Sequence, residues 1–220
     1  MRRCFALAAL LPLSACVVAP VAVSRPAPPV VTSAAPQGVP PGMQYLYGSG
    51  EASAISVQAW RGLVSYVADQ VRVRPADSVV LAQGATLAAP RFVPCGDKPL
   101  AAVFDVDETV LLNLGFEADD AAHPGRPYDE RRWQSWERTG ADKVAPVPGA
   151  RKALSVLRTL GVTVVFNTNR SAANASFTEA ALNRAGLGPA KHGETLFLSG
   201  DDATGSHKDC LLYTSPSPRD

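Results

Sequence analysis

Leu100-Ala101-Ala102-Val103-Phe104-Asp105-Val106-Asp107-Glu108-Thr109-Val110 is an apolar run that breaks into an Asp-x-Asp-x-Thr. The run reads as a buried strand over Leu100–Val106. Side chains alternate across a strand, so its end can aim Asp105 and Asp107 together at the mouth of a sheet. Asp-x-Asp also arises by chance in surface turns. Here it closes a buried-type strand, and in open parallel α/β sheets ligands bind beyond the carboxyl ends of the strands. Two carboxylates so placed can divide a reaction between them: one attacks phosphorus, and the other handles the proton of the leaving group. Thr109 is placed to fix the turn.

Downstream, Gly149–Leu160 reads as a helix after Pro146 and Pro148, Val162–Phe166 as a strand, Ala172–Ala185 as a helix ending at Gly186, and Thr195–Leu198 as a short strand. Strands alternating with helices of this length predict an α/β fold, a parallel sheet with helices on both faces. The first strand and the Gly149 helix are separated by more chain than a crossover needs. Residues 113–147 therefore read as a small cap insertion over the carboxyl edge. Its Tyr128, Trp133 and Trp136 fall at roughly helical spacing. They are either the core of that insertion or the wall of a pocket for an aromatic leaving group such as a nucleobase. Upstream, Trp60, Leu63, Val64, Val67 and Val71 predict an amphipathic helix over Ile55–Val71. Asp77–Ala88 reads as a second, weaker helix, and Pro90–Pro99 as a loop containing Cys95.

The two ends stand apart from this pattern. MRRCFALAALLPLSAC opens with Arg2 and Arg3, continues through an apolar stretch too short to span a bilayer, and closes on small residues before Cys16. This is an export signal over residues 1–15. Leu13-Ser14-Ala15-Cys16 resembles a bacterial lipobox, in which the cysteine is acylated and becomes the new N-terminus. Val17 rather than Asp follows, so an outer-membrane lipoprotein of the bacterial envelope is expected. Between Val17 and Gly50 the only charge is Arg25, and seven prolines fall between Pro20 and Pro41. Such a segment cannot bury enough apolar surface to fold, and residues 16–44 read as a tether. Residues 210–220, CLLYTSPSPRD, match a translated sequencing adapter and are set aside, which leaves the domain at residues 45–209, C-terminally truncated.

Removing Arg2, Arg3, Arg219 and Asp220 with these ends leaves 18 basic and 19 acidic residues, against 21 and 20 in the whole chain. No polybasic surface is implied, and nothing favours nucleic acid as a partner. Cys4 leaves with the signal and Cys210 with the tail, and Cys16 would carry lipid. Cys95 then stands alone, and no intrachain disulfide is expected.

A carboxylate attacking a phosphate needs cations and hydrogen-bond donors around the phosphoryl oxygens. Val164-Val165-Phe166-Asn167-Thr168-Asn169-Arg170 is a second apolar strand ending in polar residues. Thr168 would reach the same edge as Asp105, where its hydroxyl either donates to a phosphoryl oxygen or caps the next helix. Lys208, in Ser206-His207-Lys208-Asp209, follows the third strand and could neutralise bound phosphate.

Taken in order, these segments are similar to the first three motifs of the haloacid dehalogenase (HAD) superfamily of phosphotransferases. FDVDETVLLN (104–113), YDERRWQSWERTGADKVAPVPGA (128–150), FNTNR (166–170) and HKD (207–209) more narrowly resemble the class C acid phosphatases, exported lipoprotein phosphatases that include 5'-nucleotidases. The resemblance implies phosphomonoester hydrolysis at the envelope through an aspartyl-phosphate on Asp105. Asp107 would protonate the leaving alcohol and then activate water. It also implies Mg²⁺ held by the Asp105 carboxylate, the Asp107 carbonyl and an acid of a fourth motif, Gly-Asp-x-x-x-Asp. Gly200-Asp201-Asp202 with Lys191 could stand in for the last two motifs. However, Gly205 and Ser206 fill the place of the second acid, and only eight residues separate Lys191 from Gly200. Lys208 is therefore assigned, the fourth motif is expected beyond Asp209, and a chain without it is expected to give no turnover. The competing reading is a non-enzymatic, ligand-binding surface lipoprotein whose acidic pair only binds a cation.

Overall fold

A computed structural model of the chain describes residues 39–202. Cys16, the tether up to residue 38, Lys208 and residues 210–220 lie outside them. Among the described residues no helix is long and apolar enough to cross a membrane.

The chain enters through α1 (Pro41–Gly48) and the long helix α2 (Gly50–Val73), which extends past both expected ends. Ser49 supplies the start signal, its hydroxyl accepting from the Ala52 N–H at 3.0 Å. The helical spacing of Trp60, Leu63, Val64, Val67 and Val71 places all five in or against the main core.

The expected helix at Asp77–Ala88 is not formed. Asp77–Leu81 is strand β1, paired antiparallel with β2 (Phe92–Pro94), which occupies part of the expected Pro90–Pro99 loop. Adjacent Val79 and Val80 favour an extended backbone. Cross-strand bonds extend the hairpin, Ala82 N–H to Arg91 O at 2.7 Å and Cys95 N–H to Ala76 O at 2.8 Å.

The central sheet is parallel in the order β3 (Ala101–Phe104), β6 (Thr163–Ser171), β7 (Leu196–Ser199). Phe104 pairs with Phe166, and Phe166 with Leu196. The crossover into β6 is α5 (Ala150–Thr159). The crossover into β7 is a 3-10 turn (Ala172–Asn174) followed by α6 (Ala175–Arg184). Phe104, Phe166, Leu196 and Leu198 from the strands close on Leu154 and Leu157 of α5, Leu182 of α6 and Trp60 of α2. Val165 and Phe197, alternating with these along their strands, form a separate apolar pair on the other face. The result is a mixed α/β fold built on a parallel sheet and helices.

Between β3 and α5 the chain leaves the sheet. Leu111–Leu112 (β4) pairs antiparallel with Ala145–Pro146 (β5), bringing the two ends of the excursion together. The excursion carries α3 (Leu114–Ala122) and α4 (Glu130–Thr139), the latter capped by the Asp129 carboxylate on the Arg131 N–H at 2.9 Å. Phe116 sits under Trp133 and Trp136, with ring centroids at 5.0 and 6.0 Å. Arg132 lies over the Phe116 ring at 3.9 Å and also reaches Asp119 and Asp120, which Arg126 shares. At the return to the sheet, Gly149 adopts φ 94°, and a Cβ there would lie 3.2 Å from the Val57 Cα of α2. Only glycine suits both that conformation and that approach.

Candidate active site

Strand β3 stops at Phe104, so Asp105 and Asp107 lie in the turn beyond it rather than alternating along it. The turn closes on the Val106 carbonyl, which accepts from the Val110 and Leu111 N–H groups at 3.0 Å each. Val106 and Val110 are fully buried and fasten the turn to the core. The Thr109 hydroxyl donates to Asp105 Oδ2 at 3.2 Å, the turn-fixing role its position suggested. Glu108, directly after Asp107, has φ 52°, a left-handed conformation costly for a residue with a Cβ. It is held there by Asn113, whose backbone N–H donates to Glu108 Oε1 at 2.9 Å and whose Nδ2 donates to Oε2 at 3.1 Å.

Asp107 is gripped at both carboxylate oxygens. Its Oδ1 accepts from Arg170 Nη2 at 2.7 Å, Arg170 Nε at 3.0 Å and Asn113 Nδ2 at 2.8 Å. Its Oδ2 meets only Arg170 Nε at 3.2 Å and the Thr168 hydroxyl at 3.5 Å. The Arg170 side chain is 2% exposed and that of Asp107 23%, so the ion pair reaches from the interior to an accessible carboxylate. Taking one partner from such a pair leaves an uncompensated buried charge, at a cost of about 3–5 kcal/mol.

Thr168 is fully buried within β6, which continues to Ser171, and its oxygen accepts from the Arg170 N–H at 3.2 Å. It caps no helix; Ser171 caps the 3-10 turn instead. Trp133 and Trp136 stand together over Phe116, and the Trp136 Nε1–H donates to Asn113 Oδ1 at 2.9 Å. Tyr128 is apart from them, 66% exposed, with its hydroxyl on Glu130 Oε2 at 2.7 Å. Lys191 pairs with Glu194, and Asp201 accepts from the Leu198 N–H and faces His192 Nε2, both at 2.7 Å. None of these partners belongs to the Asp105 turn.

Three residues absent from the expected site belong to this arrangement. Arg170 was inside the FNTNR string but carried no role. Asn113 is fully buried, and its amide joins Asp107, Glu108, Arg170 and Trp136. Glu137, 2% exposed, ties α4 to the 3-10 turn by accepting from Asn174 Nδ2 at 2.6 Å and the Ser171 N–H at 3.2 Å. Burial pushes its carboxyl above the ordinary glutamate range, against those two donors. Burial likewise raises Glu117. The Tyr47 hydroxyl from α1 is raised too, first by burial and then by the charges of Glu108 and Glu117, so α1 borders the same acidic surface.

A parallel α/β sheet with an acidic turn at the end of its first strand defines the class of fold and site. Residues 50–215 match the family model of the HAD superfamily, subfamily IIIB (acid phosphatase), and the chain belongs to that family. It is similar in fold to the class C acid phosphatase from Bacillus anthracis. Against that protein with tungstate bound, the TM-score is 0.56 at 21% identity; against a second structure of it, 0.54 at 23%. Each match covers 79% of this chain and 62% of the other, so the chain corresponds to less than two thirds of those structures. No curated protein matches the chain.

Proposed function

We propose that this protein hydrolyses phosphomonoesters through a covalent intermediate on Asp105. The observation that carries the proposal is the pairing of Asp105 beyond β3 with an accessible carboxylate two residues on, anchored from beneath by Arg170 and Asn113. A carboxylate oxygen of Asp105 attacks phosphorus as the bond to the leaving oxygen breaks. Asp107 delivers its proton to that oxygen. Water then attacks the aspartyl-phosphate, Asp107 takes its proton, and the carboxylate of Asp105 returns. Binding of tungstate by a class C acid phosphatase of the same fold supports an oxyanion as the natural occupant. Thr168 and Lys208 supply hydrogen-bond donation and positive charge to the phosphoryl oxygens.

The donors that the turn offers are hard oxygens, the kind Mg²⁺ prefers. Asp105, through its carboxylate, and Asp107, through its backbone carbonyl, would hold the ion. Among the described residues no group of three acidic, histidine or cysteine side chains could complete the set. When bound, the metal neutralises charge on the phosphoryl group. We further propose a 5'-nucleotide as substrate class and the outer membrane as location, through lipid on Cys16.

Asp105→Asn in the full-length protein tests the reading. It should lower turnover of a phosphomonoester on the order of 10³-fold or more with the fold retained. Retained activity would overturn the assignment of Asp105; lost activity with intact folding would instead overturn the reading as a non-enzymatic, ligand-binding lipoprotein.

A further inference from the structure

We infer that Asn113 is a positioning residue that lets the insertion set the orientation of Asp107, with Oδ1 as the anchored oxygen and Oδ2 as the one that carries the proton. The inference rests on the acid and base role proposed for Asp107.

The Asn113 amide admits one orientation. Its Oδ1 accepts from the Trp136 indole N–H at 2.9 Å and from Arg170 Nη2 at 2.8 Å. An indole and a guanidinium donate only, so turning the amide over would set an NH₂ against two donors. Its Nδ2 consequently faces Asp107 and Glu108, which accept. Asn113 is fully buried, so no water can replace a lost partner at low cost.

Three short hydrogen bonds converge on Asp107 Oδ1, which saturates it. Oδ2 has two long contacts, one of them the Thr168 hydroxyl at 3.5 Å. The proton that goes to the leaving oxygen, and later comes from water, therefore resides on Oδ2. The oxygen is presented outward only while Arg170 and Asn113 hold the carboxylate plane. Trp136, on α4, is the insertion's direct hydrogen bond to that amide. A shift of the insertion thus reaches the proton donor through a chain of two hydrogen bonds.

The distinguishing measurement is sensitivity to the leaving group. Trp136→Phe keeps a ring against Phe116 and removes the N–H. It should lower kcat/KM for an alkyl phosphate, whose departing oxygen needs a proton, by about tenfold, the worth of one hydrogen bond to a charged network. For 4-nitrophenyl phosphate, which leaves without help, the change should stay within about twofold. Leu187→Ala is the control: it loosens the apolar core outside the insertion and keeps Trp136, Asn113 and Arg170, so the ratio between the two substrates should stay as in the parent. A uniform loss in Trp136→Phe, or a shifted ratio in Leu187→Ala, would overturn the inference. Asp107→Asn in the same assays separates the two levels. If it leaves the substrate ratio unchanged, the proton role itself fails; if it alone changes the ratio, only the positioning by Asn113 fails.

Discussion

The sheet and the insertion meet at Asp107, and they are held together by opposite means. In the sheet, Phe104, Phe166, Leu154, Leu157, Leu182 and Leu196 exclude water from a single apolar core. In the insertion, the strongest contacts are charged or polar: Arg126 and Arg132 on Asp119 and Asp120, a guanidinium over Phe116, and Glu137 buried between Asn174 and the Ser171 N–H. The first kind of contact has no charge to titrate or to screen; the second responds to both pH and ionic strength. The acidic turn is rooted in the first and steered by the second, so its position is set by the core while its orientation answers to the solution.

The contrast can be broken by experiment. Leu154→Ala, at a fully buried position of α5, should cost about 2–5 kcal/mol in denaturant unfolding, with little dependence on salt. A smaller loss would mean that the sheet is not where stability resides. Arg132→Gln removes a partly buried guanidinium from two carboxylates and one ring, and should cost about 1 kcal/mol, less at 1 M salt than at 0.05 M. An effect as large at high salt as at low would show the residue acting by packing alone. Glu137→Gln sharpens the comparison through pH. The folded-state value of Glu137 is raised, so the contribution of this group to stability is greatest below its unfolded value and is lost as pH rises through the folded one. Thermal melts should therefore show the parent gaining on Glu137→Gln as pH falls from 7 towards 4. A constant gap would place the carboxyl in a solvated setting.

The same division explains what could be read in advance. Apolar runs with clean boundaries, such as Leu100–Phe104 and Val162–Phe166, led to their strands, and the five apolar positions from Trp60 to Val71 led to their helix. Val79-Val80 was misread because a short apolar run has no periodicity to separate helix from strand, and its partner lies beyond the bend at Gly84. β6 was cut short at Phe166 because Asn167, Thr168 and Arg170 look like loop residues. They are buried and polar together, Thr168 and Arg170 meeting at Asp107. The two aspartates and Thr109 carried a motif that spacing reveals. Asn113, Arg170 and Glu137 act through partners between 5 and 63 positions away, and spacing alone does not mark them. Arg170 alone had a clue, a cation two residues past Thr168 on the same strand face.

The two-residue ladder of β4 and β5 has a consequence for variation among relatives. It brings the start and finish of the excursion side by side, so the intervening loop is closed whatever its content. Lengthening a closed loop is entropically mild, about 0.6 kcal/mol for each doubling. Residues 113–144 can thus be rewritten, grown or trimmed without moving the strand that leads to Asp105, provided an Asn113 and an indole donor survive the edit. New substrate preferences can accumulate there like interchangeable fittings on one mount.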